Sequence, residues 1–149
     1  MRGAIARPAL LLLALVALAA ASPVSAADGD RVGASPIDGR WAWAWTAAQL
    51  RRQGSNPYDL GTQTGPATVV FANGRYLARW QVSGRVAAGT YTVDGDVARF
   101  VVVKRDPHDD AGSVHYMRFR VFRDRLKWSM VSGREGFSAL TIAPFRRVG

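Results

Sequence analysis

The chain has 149 residues, no cysteine, and 20 Lys+Arg against 11 Asp+Glu, a formal charge of +9. That length suits one domain with a single core, and the lack of cysteine excludes disulfides, a cysteine nucleophile and lipoprotein anchoring. The positive balance reads either as solubility or as attraction to anionic polymers or membrane surfaces.

Residues 1–26 read as a secretory signal peptide. Arg2 and Arg7 give a positive start, residues 9–21 are an unbroken apolar run, and Val24-Ser25-Ala26 supplies small residues for cleavage. The run is short for a bilayer span, so no transmembrane segment is expected after signal removal. The expected location is extracytoplasmic, secreted or in the cell envelope. Stability without disulfides must then come from packing. Residues 27–36 are small and polar, a flexible lead-in, and the folded domain is expected over residues 37–149.

Trp41, Trp43 and Trp45 recur at period two, separated by Ala42 and Ala44. Alternation predicts a strand over residues 40–46 whose aromatic side faces a core or a cavity. Thr46 and Gln49 fit a capping box, so a short helix is expected over residues 47–53, ended by Gly54. Residues 54–66, rich in Gly, Pro, Asn, Ser and Thr, read as a loop.

From Ala67 the chain reads as strands and turns. Asn73-Gly74 predicts a two-residue hairpin pairing Phe71 with Tyr76 and Val69 with Ala78. Val69, Phe71, Tyr76, Ala78 and Trp80 then share one face, with Arg75, Leu77, Arg79 and Gln81 on the other. A four-residue turn at 83–86 would set Trp80 opposite Gly89 and Ala78 opposite Tyr91. A turn at Asp94-Gly95 would pair Tyr91 with Ala98 and continue the inward set through Phe100 and Val102. A three-residue turn there would instead bring in Val97, Arg99, Val101 and Val103. Residues 104–112 read as a polar loop and 113–122 as a long strand. A turn at Arg123-Asp124 pairs Val121 with Leu126, Phe119 with Trp128, and Met117 with Met130, all on one apolar face. After a loop at 132–136, the last strand is expected over 138–145.

The total is an all-β fold of eight strands with one short helix after the first. A meander with one aromatic face closes into an antiparallel up-and-down barrel, which removes exposed edges. A sandwich is the alternative, but it would need long crossovers.

These residues support a family comparison over residues 37–147. Gly39-Arg40-Trp41 resembles the Gly-x-Trp motif that opens the first strand of lipocalins and related calycins. Arg146 or Arg147 resembles the arginine that packs across that tryptophan. The run from Gly89 to Asp96 resembles a hairpin of lipocalin-like domains in bacterial secreted proteins. The chain is shorter than a typical lipocalin, and its helix follows the first strand, as in fatty-acid-binding proteins. The resemblance implies a calycin-like barrel and no particular subfamily.

Chemistry-bearing residues are sparse. The histidines are His108 and His115. His108 lies among Asp106, Asp109 and Asp110 without the spacing of an EF-hand, and a solvated loop explains it. His115 shares the apolar face of Met117 and Phe119. No catalytic, metal or cofactor set emerges, and no glycine-rich loop precedes a helix. The aromatic interior remains, either as a packed core or as a pocket with polar handles. As a pocket it implies a protein that binds a small apolar or amphiphilic ligand, lipids included, through Trp43, Trp45, Tyr76, Trp80, Tyr91, His115, Met117 and Trp128. The alternatives are an envelope module that holds anionic polymers or lipid headgroups on an exterior bearing Arg75, Arg79, Arg99, Arg118, Arg120 and Lys127, and a barrel cyclase or isomerase using His115 and a tyrosine. The exterior lacks the aromatic platform of single-strand nucleic-acid binders.

Overall fold

A computed structural model describes residues 34–105 and 111–149. The expected signal peptide, most of the lead-in, and His108 with its three aspartates lie outside the described residues. Among the described residues, eight strands form one closed antiparallel barrel in sequence order, with β8 returning to β1. The strands are β1 (Gly39–Trp45), β2 (Gly65–Ala72), β3 (Arg75–Trp80), β4 (Val86–Asp94), β5 (Val97–Arg105), β6 (Val114–Phe122), β7 (Arg125–Met130) and β8 (Phe145–Arg147). No helix among the described residues is long and apolar enough to cross a membrane.

β1 buries Trp41, Trp43 and Trp45 and turns Ala42 and Ala44 outward, as its alternation requires. The capping box forms. The Gln49 N–H donates to the Thr46 side chain at 3.2 Å, and the Thr46 N–H donates to the Gln49 side chain at 2.8 Å. It starts helix α1 (Ala47–Arg52), which buries Leu50 against the barrel core. The expected loop at 54–66 is corrected, because it contains a second helix, α2 (Pro57–Gln63). Asn56 caps it by accepting the Asp59 N–H at 2.9 Å, and Pro57 takes the first helical position. The Asn-Pro pair that reads as a turn is a helix start.

The Asn73-Gly74 hairpin has the expected register, Phe71 against Tyr76 and Val69 against Ala78. Both turn residues have positive φ, 51° and 70°, as a type I′ turn demands. The next turn is corrected by two residues. It occupies 81–84, closed by Gly84 N–H to Trp80 carbonyl at 2.9 Å and Trp80 N–H to Arg85 carbonyl at 3.0 Å. Ala78 therefore pairs with Ala87, and Gly89 lies opposite Tyr76 rather than Trp80. A bulky ring does cover the glycine: a Cβ at Gly89 would sit 2.7 Å from the Tyr76 ring and 2.1 Å from the Val101 carbonyl oxygen.

The β4–β5 turn also moves. Asp94 pairs with Val97, so Gly95 and Asp96 form it and Tyr91 faces Phe100, not Ala98. The inward set of Tyr91, Ala98, Phe100 and Val102 is unchanged, and Arg99 stays exposed. The β6–β7 pairs are as expected, but Met130, the last residue of β7, is 44% exposed at the rim. β5 runs through Lys104 and Arg105, which read as loop.

The expected last strand at 138–145 is corrected most. A 3-10 helix covers Ser138–Thr141, and β8 is only Phe145–Arg147. Pro144 has no N–H to give a ladder. Phe137 and Leu140, three residues apart, both line the barrel's helical end, as 3-10 geometry allows.

The opposite end is closed. Ile37 is fully buried, and its carbonyl accepts the Trp41 indole N–H at 2.8 Å. The Arg147 guanidinium lies 4.4 Å from the Trp41 ring centre and donates to the Asp38 carbonyl at 3.2 Å. The Tyr91 hydroxyl donates to the Asp38 carboxylate. Burial, then that carboxylate, hold the Tyr91 phenol well above its ordinary range.

Two outcomes follow. Gly89→Ala should destabilise the protein by about 1–3 kcal/mol or more through overpacking, read as a lower urea midpoint; a midpoint equal to wild type would contradict the close approach. A phenol raised on folding stabilises fully below the unfolded tyrosine value of about 10 and loses that contribution as pH rises beyond it. Unfolding free energy should therefore fall above about pH 10, and less steeply in Tyr91→Phe. An unchanged slope in that variant would remove Tyr91 as the cause.

Candidate ligand cavity at the helical end

The barrel interior is not filled. A cavity of about 290 Å3 opens at the helical end between the α1–α2 connection and the 3-10 segment. It lies near the lower bound of small-molecule sites, roughly 300 Å3. Its walls come from β1 to β6 and β8, and its rim from residues 53–56, Asp59, Gln63 and residues 136–140.

The walls are aromatic and mutually braced. Trp43 stacks on Phe145 at 4.3 Å and 10° and meets Trp80 edge-on at 5.8 Å. Tyr76 meets Phe100 edge-on at 5.5 Å. His115 stacks on Phe137 at 4.0 Å, with its Nε2 3.0 Å from the Ser113 hydroxyl. Offset and edge contacts of this kind fix ring positions, so the wall is a shaped surface.

Polar side chains gather at the mouth, and Arg85 and Gln63 among them are buried. Arg85 is only 5% exposed although it lines the cavity. Its Nη1 reaches Asp59 at 3.4 Å and the Thr62 hydroxyl at 3.0 Å, and its guanidinium lies 5.2 Å from the Trp80 ring. Asp59 is further occupied: Gln63 donates to it at 2.6 Å and Asn56 at 3.0 Å. The Ser83 hydroxyl donates to the Thr62 carbonyl at 2.7 Å. Together these contacts tie α2 to the β3–β4 turn, so one cation anchors the rim and faces the interior.

The indole N–H groups of Trp43, Trp45, Trp80 and Trp128 are buried without a hydrogen-bond partner. Each such donor costs about 1–3 kcal/mol. Trp41, on the same strand as Trp43 and Trp45, is satisfied by Ile37. The first three unsatisfied donors belong to cavity-lining residues, so the interior is rich in donors.

Of the residues expected to contact a ligand, Trp43, Trp45, Tyr76, Trp80 and His115 line this cavity. Tyr91, Met117 and Trp128 do not. Tyr91 belongs to the closed end with Asp38. Met117 is fully buried, with its sulfur accepting the Phe137 N–H at 3.2 Å. Trp128 packs among Phe71, Phe100 and Phe145. Sequence reading missed Arg85, Asp59, Gln63, Phe137 and Phe145 as site residues. Arg85 had a signal: it shares odd parity with the inward-facing Ala87, Gly89 and Tyr91 of β4, and two more residues of alternation point it inside.

Among the described residues no group of three His, Cys, Asp or Glu side chains is placed to hold a metal ion. Compared with protein-family models, curated proteins and solved structures, the chain has no significant match.

The buried ion pair makes an asymmetric prediction. Asp59→Asn takes one carboxylate from a buried guanidinium and should cost about 1.5–3 kcal/mol, the worth of a hydrogen bond to a charged group. Arg85→Met puts apolar volume in its place and should cost less than 1.5 kcal/mol. Urea unfolding of both variants measures the difference; an Arg85→Met penalty equal to or above that of Asp59→Asn would contradict the assignment.

Proposed function

We propose that this protein is an exported, calycin-like binding protein that holds one small amphiphilic molecule in its barrel, with an aromatic or short aliphatic body against the tryptophan wall and an anionic end at Arg85. One observation carries the reading: an aromatic-lined cavity of about 290 Å3 that contains a 5% exposed arginine and buried, unpartnered indole donors. A solid core would leave the indole donors without acceptors, which is unfavourable in apolar surroundings. A ligand with acceptor atoms compensates them. The Gly-x-Trp motif with Arg147 across Trp41 supports the calycin-like assignment, and the apolar run with its small-residue site supports export with residues 1–26 removed. The volume suits a compact ligand rather than a long-chain lipid.

The test uses 1-naphthoate and its neutral analogue 1-naphthylmethanol. The carboxylate should quench tryptophan fluorescence saturably with one site per chain. Arg85→Met should weaken naphthoate by about 10- to 100-fold, the worth of a charge-assisted hydrogen bond, and leave the alcohol nearly unchanged. Non-saturable quenching, or equal loss for both probes, would overturn the reading.

A further inference from the structure

The barrel exterior carries a second feature, at the end away from the cavity. On the outer face of β6 and β7, Arg120 stands directly opposite Lys127. On β7 and β8, Arg125 stands directly opposite Arg146. All four are exposed. Like charges in cross-strand register repel and destabilise a sheet, and two such pairs adjoin here. Arg118 extends the row along β6 and Arg123 caps the turn. Asp96 meets Arg118 at 3.5 Å and Asp124 meets Arg125 at 3.7 Å, so these two carboxylates offset only part of six cations. In the free protein this arrangement is unfavourable; an anionic partner reverses its sign.

The partner's nature is indicated by Phe122. It is 64% exposed at the end of β6, opposite Arg125 and 5.2 Å beneath the Arg123 guanidinium. A shallow depression beside it is lined by Arg120, Phe122, Arg125, Lys127 and Pro144. Exposed cations around an open hollow, with an aromatic ring projecting at their edge, match a bilayer surface. Headgroup phosphates meet the cations while the ring enters the acyl boundary. A soluble polyanion would use the cations and leave the ring without a role.

We propose that the outer face of β6–β8, with Phe122 at its tip, docks on an anionic lipid bilayer. The β6–β7 turn lies at the barrel end opposite α1 and α2, because β6 runs away from the helical end and β7 returns to it. Docking there leaves the cavity mouth toward solvent, so ligand exchange and membrane contact do not compete. This proposal stands whether or not the cavity takes an anionic ligand.

The test is sedimentation of the full chain with vesicles of phosphatidylcholine alone and of phosphatidylcholine with phosphatidylglycerol in equal parts. The apolar run at residues 9–21 acts on both, so the ratio of the two partition coefficients is the readout. The ratio should be well above one at low salt and fall as salt rises. Arg120→Gln with Lys127→Gln should lower it about 10-fold or more, at about fivefold per cation, and should not lower the thermal midpoint. Arg75→Gln with Arg79→Gln, on the opposite wall at β3, should leave it unchanged. Phe122→Ser should lower binding to the mixed vesicles about fivefold without altering retention on heparin. A ratio near one, or equal losses from the β3 and β6–β7 doubles, would overturn the proposal. So would unchanged binding of Phe122→Ser to the mixed vesicles beside heparin retention lost in the β6–β7 double, which would assign the face to a polyanion instead.

Discussion

Barrel closure depends on one short strand, which pairs with β7 at only two positions and with β1 at only two. β8 is three residues long and pairs with β1 only at Trp41–Arg147 and Ala42–Arg146. Two backbone pairs are a thin seam for a closed sheet, and side chains reinforce it. Arg147 covers the Trp41 ring, its guanidinium reaches the Asp38 carbonyl, and the Asp38 carboxylate holds Tyr91 from across the barrel. Trp41 is tied in turn to Ile37. An exposed guanidinium over an indole contributes about 0.5–1 kcal/mol, which counts where so few ladder bonds exist. With that end sealed, the alternation of β1 carries Trp43 and Trp45 into the interior, where neighbouring strands supply rings but no acceptors.

The other end solves a different problem. A barrel of eight strands has an interior just wide enough for side chains or one small ligand, and here the helical end stays open. Arg85 is held inside by Asp59, a residue of the helix that forms the rim. The helix is short and would not persist alone; its anchorage is the buried cation, Thr62 and the Ser83 turn. The groups that shape the cavity are thus those that hold its cover in place. Stability concentrates at the Trp41 end, and unsatisfied donors and the buried charge concentrate at the mouth.

Much of this was legible in the sequence, for a physical reason. Face assignment depends on parity, so the β3–β4 register and the β4–β5 register over residues 89–94 were misplaced by even steps and still put the right side chains inside. The Asn73-Gly74 and Arg123-Asp124 turns came out in register, because the apolar residues on both flanks of each align in one register. The rest failed where one residue type serves two structures. Asn56-Pro57 is equally a turn and a helix start, and residues 138–145 alternate weakly enough to suit a strand while Pro144 forbids a long one. Arg85 was hidden because residues 83–86 read as a turn, although its parity with Ala87 and Gly89 points it inside. The cavity itself was beyond reading, because a filled and a hollow barrel share one alternation pattern and differ only in how rings tilt.

The division of the tryptophan strand into a structural end at Trp41 and a cavity-facing end at Trp43 and Trp45 is central to the molecule. It is tested most directly by indole N–H resonances in nitrogen-15 labelled protein during a titration with 1-naphthoate. The account predicts that the Trp41 signal, hydrogen-bonded to Ile37, exchanges slowest with solvent and stays in place, while the Trp43, Trp45 and Trp80 signals shift together to saturation. A Trp41 signal that shifts as far as the others, or a saturated sample in which none of the three moves, would contradict it.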